Sequence, residues 1–344
     1  MTNKRKSQHK PATMRDVARL AGVSQPTVSR VLNNRNSTPV SDKTRQRVLA
    51  AAQALKYRPN DIARSLRTRR THTIALLIAD ISNGFYHPLA RAVQDVARLH
   101  NYEVFISNSD HLYANEKLFC EVVSRRSVDG VIMVPIHLTT EELAQFLAET
   151  DIPITVLGEQ IDHPMIDVVF ANDKQATYEA TCWMIAERGY TSLGFIGARD
   201  DLPPGPRRLE GFERALKEFG LTLDPRFLLK GDFTLESGVE AAHALLRVGD
   251  LPRALFVVND LMAIGAILTL QEAGYRIPDD IAVMGFDDIP EAKMIRPKLT
   301  TIAQNPRDMG QKLAEALFER IESSTIIPRR ILESPLHLIV RDSA

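Results

Sequence analysis

The chain has 344 residues, of which 44% are hydrophobic and 25% charged, as in an ordinary folded protein large enough for two or three domains. Its two cysteines exclude a disulfide framework and a cysteine zinc site, and they indicate a reducing compartment. The net charge is zero, but residues 1–72 hold 17 Lys and Arg against three Asp and Glu, a net of +14; the remainder holds 26 against 40, a net of −14. This asymmetry predicts a polyanionic partner for the first part of the chain.

The sequence gives no indication of export or membrane insertion. No stretch of about 18 apolar residues occurs, so no membrane span is predicted. The first residues are polar and lack the apolar core of a signal peptide, so we expect a cytoplasmic protein. Residues 1–12 are charged without apolar periodicity, and we predict that they form a disordered tail.

Residues 13–59 have the pattern of three short helices. Thr13 opens the first helix as its N-cap, with Asp16 as a capping-box partner. Val17 and Leu20 form the predicted apolar face, and Gly22 ends the helix because glycine tolerates the positive φ found there.

The second helix follows after a corner of three residues. Ser24 is its predicted cap, and Pro26 lies in its first turn, where a missing N–H costs nothing. Three residues face inward at helical spacing, namely Val28, Val31 and Leu32. Polar residues suited to the edge of a DNA major groove remain on the other faces, namely Gln25, Thr27, Ser29 and Arg30. These features favour a helix-turn-helix over an ordinary helical hairpin, the alternative.

Ser41 caps a third predicted helix, which continues through Leu55. Its predicted buried side consists of Val48, Leu49, Ala52 and Leu55, and its candidates for phosphate contacts are Arg45, Arg47 and Lys56. The segment Asn60–Arg67 is amphipathic but only about two turns long, so it should be largely unfolded in isolation.

Three motifs in this region resemble the head of the lactose-repressor/galactose-repressor family of bacterial transcription regulators. They are D-V-A-x-x-A-G-V-S-x-x-T-V-S-R-V-L-N at Asp16–Asn33, Y-x-P-N at Tyr57–Asn60 and A-R-S-L at Ala63–Leu66. The resemblance implies a helix-turn-helix domain over residues 13–59, and a hinge helix with its linker over 60–72. It also implies a hinge that folds on DNA between two subunits, with Leu66 wedged between base pairs in the minor groove. The implied DNA contacts are Thr13, Ser24, Gln25, Pro26, Thr27, Ser29, Arg30, Asn33, Tyr57, Asn60, Ala63, Arg64 and Leu66.

From residue 74 the pattern changes to apolar runs that alternate with amphipathic helices. The predicted strands lie at 74–80, 102–107, 130–135, 154–158, 192–197, 254–260 and 281–288, with a last one at 336–342. The predicted helices lie near 86–99, 115–126, 140–149, 173–188, 206–219, 236–247 and 260–273. Such alternation is typical of parallel, doubly wound sheets.

We therefore predict an all-α helix-turn-helix head followed by an α/β body of two doubly wound parallel-sheet lobes. By the same family resemblance, this body is similar to a periplasmic binding protein with a cleft between its lobes. The predicted body covers residues 73–344, with a first lobe at about 73–170 and 301–328. The second lobe is predicted at about 171–300 and 329–341.

Ligands of open α/β sheets bind beyond the carboxyl ends of the strands. Polar and aromatic residues follow several predicted strands, and the resemblance implies effector contacts by Phe85, Tyr86, Arg208, Phe233, Asn259 and Asp287. Asp and Asn can bind paired hydroxyls, Arg supplies a rigid donor fork, and an aromatic face covers a sugar ring. The alternatives are that Asp260 and Asp288 are helix caps and that Phe85 is a core residue.

Motifs for catalysis or cofactor binding are missing from the sequence: it contains no GxGxxG, Walker A, GxSxG or HExxH pattern. The nine histidines show no metal-ligand spacing, so we expect no enzyme, cofactor or metal. The last predicted strand ends just before Ala344, with no heptad helix after it, and we therefore expect a homodimer.

These observations predict a DNA-binding regulator, expected to be a repressor, that binds a palindromic operator as a dimer under the control of a sugar-like molecule. One alternative is the same regulator controlled by a phosphocarrier protein or a nucleobase. A second is a solute-binding receptor, which the basic head argues against.

Overall fold

The computed structural model describes residues 12–32, 40–57, 70–126 and 128–344. The chain separates into two compact units, residues 1–71 and 72–344. Within the described ranges, no helix has the length and apolar character needed to cross a lipid bilayer.

The described part of the first unit consists of three helices, α1 (Met14–Ala21), α2 (Gln25–Leu32) and α3 (Asp42–Ala54). Their shared core is made of small and β-branched side chains, namely Val17, Ala18, Ala21, Val28, Val31, Val48, Ala51 and Ala52. The predictions for Leu20 and Leu49 were wrong, since these side chains are 57% and 49% exposed. At about 100° per residue, Leu20 falls well away from the stripe formed by Val17, Ala18 and Ala21. Alanines there let the short helices pack closely.

The predicted helix ends are confirmed. The backbone N of Thr13 donates to Asp16 Oδ2 at 3.0 Å, and the N of Asp16 donates to Thr13 Oγ1 at 3.3 Å, which completes a capping box. Gly22 ends α1 at φ +61° and ψ +42°. The hydroxyl of Ser41 accepts from the N of Thr44 at 3.4 Å and so caps α3.

The second unit begins with a first series of alternating strands and helices. In chain order these are β1 (Thr73–Ile78), α4 (Tyr86–Leu99), β2 (Glu103–Asn108), α5 (Tyr113–Arg126), β3 (Gly130–Met133), α6 (Thr140–Thr150), β4 (Ile154–Leu157) and β5 (Asp167–Phe170). A second series follows, with α7 (Asp173–Ala186), β6 (Leu193–Ala198), α8 (Pro204–Glu218), β7 (Leu228–Gly231), α9 (Leu235–Val248), β8 (Ala254–Val257), α10 (Asp260–Glu272) and β9 (Ala282–Asp287). The chain then continues through β10 (Thr300–Ala303), α11 (Pro306–Glu322), β11 (Ile331–Glu333) and β12 (His337–Ile339).

The strands form two six-stranded sheets, as the predicted fold class requires. The order is β2-β1-β3-β4-β5-β11 in the first lobe and β7-β6-β8-β9-β10-β12 in the second. All pairings are parallel except that of β10 with β12. Both sheets therefore have the doubly wound arrangement, in which the order of the strands reverses between β1 and β3 and between β6 and β8 while the strands stay parallel.

The structure corrects part of the predicted division of residues 301–341: α11 packs on the first lobe and β12 pairs in the second, as predicted, but β10 and β11 do not lie in the lobes predicted for them. Residues 301–328 were assigned to the first lobe, yet β10 (300–303) pairs with β9 in the second. Residues 329–341 were assigned to the second lobe, yet β11 (331–333) pairs with β5 in the first. These short strands find their partners far along the chain, so their own sequence does not indicate a sheet.

The chain consequently passes between the lobes three times, at residues 171–172, 304–305 and 334–336. These crossings lie side by side. The N of Ser334 donates to the carbonyl of Phe170 at 2.8 Å, next to the first crossing. Ala303 is opposite His337 in the pairing of β10 with β12, which places the second crossing beside the third.

Candidate functional sites: the second helix and the interlobe cleft

The second helix of the head exposes a polar surface at its N-terminal end. Ser24, Gln25, Pro26 and Arg30 are exposed, while Val28 and Val31 are buried against α1 and α3. The hydroxyls of Ser24 and Thr27 lie 2.9 Å apart, and Ser24 Oγ accepts from the N of Thr27 at 3.4 Å. The hydroxyl of Ser24 thus caps α2, and the exposed residues around it leave the N-terminal end of the helix open to a phosphate or a base edge.

The remaining predicted DNA contacts are less uniform in their surroundings. Thr13 is exposed, but its hydroxyl already donates to Asp16 Oδ2 at 2.6 Å. Ser29 is half-buried. Tyr57 is also half-buried against the head core, where burial raises the pKa of its hydroxyl. Five predicted contacts lie outside the described residues, namely Asn33, Asn60, Ala63, Arg64 and Leu66.

The second unit contains a cavity of about 120 Å³ between its lobes. Its walls come from residues at or just after the carboxyl ends of strands in both sheets, as expected for ligand sites of this fold. The first lobe supplies Asn83, Phe85, Tyr86, His111, Val134, Pro135, Ile136, Leu157, Gly158, Glu159, Gln160, Phe170, Ala171 and Met309; the second supplies Asp173, Pro203, Pro204, Arg207, Arg208, Phe233 and Asp287, with Gln304 at a crossing.

Arg208 lies at the base of the cavity, near the start of α8, and is only 5% exposed. Its guanidinium donates to the carbonyl of Val258, and its central carbon lies 3.5 Å from the centre of the Phe286 ring. Its Nε is buried and has no hydrogen-bond partner, although Asp173 Oδ2 is 3.5 Å away. Burial lowers the pKa of Arg208, and the nearby carboxylates oppose that shift. The guanidinium is therefore held in place, and its Nε remains available to donate to a ligand.

Arg207, the preceding residue, connects the two lobes. Its Nε and Nη2 donate to the two oxygens of Asp173 at 3.0 and 3.1 Å. The same Nε lies 3.4 Å from Oε1 of Glu159, which belongs to the first lobe. Burial opposes its charge, but the bonds to Asp173 and the charge of Glu159 raise the pKa of Arg207 overall. This pair across the cleft is available only when the lobes are close together.

Asp287 ends β9 and faces Arg208 across the cavity floor, with 4.0 Å between Oδ1 and Nη1. Its Oδ1 accepts from Gln304 Nε2 at 2.7 Å. Burial raises the pKa of Asp287 to about 6, although Arg208 and the Gln304 bond act in the opposite direction; the charge of Asp173 adds to the rise. Its backbone is held at φ +121°, a conformation that L-residues rarely adopt. Such strain is common at binding sites.

Asn259 was predicted to contact the ligand, and the structure gives it a different place. Its Oδ1 accepts from the N of Met262 at 3.0 Å and so caps α10. Its Nδ2 donates to the carbonyl of Phe233 at 2.9 Å. It is not among the residues that line the cavity, so it holds Phe233, which is strained at φ +71°, in position.

The aromatic walls come from both lobes. Phe85 and Tyr86 contact edge to face, with ring centres 5.0 Å apart, and belong both to the cavity wall and to the core. Phe233 lies 6.0 Å from His111, with the rings nearly parallel. His111 has a buried Nδ1 without a partner, and burial lowers its pKa, so its imidazole is neutral near pH 7.

Two other acidic residues were considered as caps. Asp260 is fully buried and accepts from the N of Ile289 at 2.9 Å and from the hydroxyl of Thr301 at 2.6 Å. Burial and the charge of Asp287 raise its pKa well above the usual range. Asp288 is ion-paired with Arg341 and Lys293. Both hold the second lobe together and neither lines the cavity.

Several cavity residues were not predicted from the sequence, namely Asp173, Arg207 and Gln304. Asp173 begins a predicted helix, and an acidic residue in that position is usually interpreted as a helix cap. Arg207 directly precedes Arg208, a predicted contact. Gln304 follows a strand that was not predicted. Asp173 and Gln304 lie shortly after strand ends, which is the one signal that could have identified them, whereas Arg207 lies in the first turn of α8.

Comparison with known proteins gives a consistent result. Residues 13–60 match the family model "Bacterial regulatory proteins, lacI family", and residues 184–344 match the "Periplasmic binding protein-like domain". HTH-type transcriptional repressor PurR of Photobacterium profundum is 33% identical over 332 residues, which cover 96% of this chain and 98% of that protein. Catabolite control protein A of Priestia megaterium is 33% identical with the same coverage.

Solved structures with a similar fold extend over nearly the whole chain. The Lac repressor dimer bound to operator and the anti-inducer ONPF superimposes with a TM-score of 0.82 at 27% identity, covering 97% of this chain and 99% of that one. The complex of the transcriptional regulator CelR with cellobiose gives a TM-score of 0.72 at 30% identity, covering 97% and 100%.

Proposed function

The chain belongs to the LacI family of bacterial regulatory proteins and is a DNA-binding transcriptional repressor of that family; from this premise we propose that it binds a palindromic operator as a homodimer under the control of a sugar-like effector. The proposal places it in the cytoplasm, where the operator is. Base reading is assigned to the exposed end of α2, with Gln25 and Arg30 as the side chains that reach furthest. The hinge segment, residues 60–67, would fold in the minor groove.

The observation that carries the effector proposal is the arrangement of charges in the cavity between the lobes. Arg207 and Arg208 face Asp173, Asp287 and Glu159, so the two cations are already matched by carboxylates. A phosphorylated ligand would meet no surplus positive charge. A neutral polyhydroxylated ligand would accept from Arg208 and donate to Asp287, while Phe85 and Phe233 cover its apolar face.

The cavity's size supports a small effector. The roughly 10–15 Å³ that admits a single water is far smaller than the 120 Å³ of this cavity, so a small molecule could replace several waters there. Two similar proteins of known structure hold sugars, cellobiose in the regulator CelR and ribose in a LacI family regulator of Enterococcus faecium.

The proposed mechanism is a shift in the population of open and closed lobes. A ligand that contacts Asp287 and Arg208 in the second lobe and Phe85 in the first binds the closed form more tightly. Closure also brings Glu159 to Arg207. The resulting change in the first lobes of the dimer would decide whether two hinge segments can fold together on DNA.

Calorimetric titration of the full chain with a panel of sugars and nucleobases tests the effector. We expect binding of a neutral monosaccharide and no binding of its phosphate ester. Binding of a nucleobase and of no sugar would contradict the sugar proposal and support the alternative, in which the effector is a nucleobase. Operator binding with no response to any small molecule would favour a phosphocarrier protein as the controlling partner.

Selection of bound DNA from a random pool tests the operator. We expect a palindrome with a flexible pyrimidine–purine step at its centre, where the hinge would enter the minor groove. Failure to enrich any sequence would refute sequence-specific binding.

A further inference from the structure

An arginine of α3 closes the corner between α1 and α2. Arg47 donates from Nη2 to the carbonyl oxygen of Ala21 and, at 3.3 Å, to that of Gly22. We propose that Arg47 is a positioning residue that fixes this corner, and is not the phosphate contact that its charge alone predicts. The inference rests on the DNA-binding function of α2 and adds a residue that sets the direction of that helix.

The backbone cap of α1 leaves these two carbonyls for a side chain. The N of Gly22 donates to the carbonyl of Arg19 at 3.3 Å, and the N of Val23 donates to that of Ala18 at 3.0 Å. Those bonds form the usual closure of a helix that ends in glycine. The next carbonyls, of Ala21 and Gly22, receive the guanidinium. A cation at this place also faces the negative end of the helix dipole.

The guanidinium lies directly over Gly22. A Cβ added to Gly22 would be 2.8 Å from Arg47 Nη2, closer than Cβ atoms come to their neighbours in real proteins. Glycine is favoured here by its φ of +61°, and a side chain at this position would also displace the flexible end of Arg47 from the corner.

The bond connects the corner to the core of the head. Arg47 precedes Val48, whose side chain is fully buried between the three helices. Only three residues separate the end of α1 from the start of α2 at Gln25. Their conformation sets the direction in which α2 presents its polar end. Base reading needs that direction to be fixed, whereas phosphate contacts to arbitrary DNA do not.

The phosphate role and the positioning role differ in their salt dependence. Each lost phosphate contact lowers the slope of log Kobs against log salt by about 0.9, on specific and non-specific DNA alike. A lysine can replace arginine as a point charge on phosphate, but it lacks the planar fork that reaches two carbonyls.

The experiment compares Arg47→Gln and Arg47→Lys with a matched control, Lys43→Gln, which removes one charge from the first turn of the same helix. The probes are a duplex that the wild-type chain selects from a random pool and a scrambled duplex of equal composition. We expect both Arg47 variants to bind the selected duplex roughly ten-fold more weakly, with little change on the scrambled duplex and an unchanged salt slope. Lys43→Gln should keep the ratio between the two duplexes.

Amide hydrogen exchange provides a readout without DNA. Peptides that cover residues 18–25 should exchange faster in both Arg47 variants, and at the wild-type rate in Lys43→Gln. A salt slope that falls by about one in Arg47→Gln on both duplexes, with wild-type binding by Arg47→Lys, would make Arg47 a phosphate ligand. Unchanged exchange would overturn the positioning role. If the wild type selects no duplex, the operator proposal fails, while the exchange data still decide the role of Arg47.

Discussion

The carboxylate of Asp287 offers a test of how a binding site can weaken the lobe that holds it. A pKa raised from 3.8 to about 6 means that the folded lobe disfavours the ionised form. One pKa unit corresponds to about 1.4 kcal/mol, so ionised Asp287 lowers the free energy of unfolding by about 3 kcal/mol. The effect is fully present above pH 6 and disappears below pH 3.8, because the carboxyl is then protonated in both states.

Asp287→Asn replaces the carboxylate by a neutral group of the same shape, which can still accept from Gln304. At pH 7.5 we expect the free energy of unfolding to rise by up to about 3 kcal/mol, and at pH 5 by about half as much, because the wild-type carboxyl is then mostly protonated in the folded lobe. Effector binding should be lost at both pH values. The gain in stability would thus come with a loss of function.

Urea unfolding followed by tryptophan emission measures this effect in the relevant lobe. The only tryptophan, Trp183, lies on α7 and packs against the core of the second lobe. Asp279→Asn is the matched control, since Asp279 is an exposed carboxylate of the same lobe, and its effect should stay within about 0.5 kcal/mol. A variant no more stable than wild type at pH 7.5, or a gain that does not shrink at pH 5, would show that Arg208 and Gln304 outweigh the burial of Asp287.

Three further substitutions test other parts of the proposed mechanism. Arg208→Ala should abolish the effector response and leave operator binding intact; a normal response at ordinary ligand concentration, with Trp183 emission confirming a folded lobe, would remove Arg208 from the site. Glu159→Gln removes the half-exposed partner of Arg207 across the cleft, and calorimetry should find effector affinity weakened by up to about five-fold. Leu66→Ala should lose most specific affinity in DNA-binding titrations but retain the dimer and the cavity; equal loss on specific and non-specific DNA would exclude the wedge.

Local sequence patterns were informative wherever a segment is buried by its own neighbours. The strand 74–80 was predicted from an apolar run, and β1 occupies Thr73–Ile78 with nearly every side chain buried. The end of α1 followed from one glycine. In contrast, β11 has three residues, two of them exposed, and is a strand only because it pairs with residues 168–170. A pairing between residues more than 160 positions apart has no local signature.

Some residues of the candidate site could also be predicted from the sequence, and others could not. Arg208, Phe233 and Asp287 were identified through family resemblance and strand ends, and all three line the cavity. Asn259 has the same chemistry but caps a helix, because asparagine serves both purposes equally well. Asp173 was not predicted because its place at the start of a helix suggests a cap, although it lines the cavity. Residue type and position narrow the choice, but only the direction of the side chain separates a cap from a contact.

Arg47 is a second case in which charge was a poor guide. A basic residue on a helix of a DNA-binding head is readily assigned to phosphate. The carbonyls it reaches lie 25 and 26 residues earlier in the chain, at a corner whose geometry depends on all three helices packing. Its contact could be identified only after the core was in place.

The three adjacent crossings have a mechanical consequence for the cleft. Because the three crossings are short and adjacent, they restrict most relative movements of the two lobes. The movement that remains is essentially a hinge rotation about the crossings. Gln304 belongs to the second crossing and donates to Asp287. A ligand that competes for Asp287 would therefore act directly on this hinge. A substitution that weakens the contacts of one crossing should therefore change how far the cleft opens. The direction of opening should stay the same, because the other two crossings determine it.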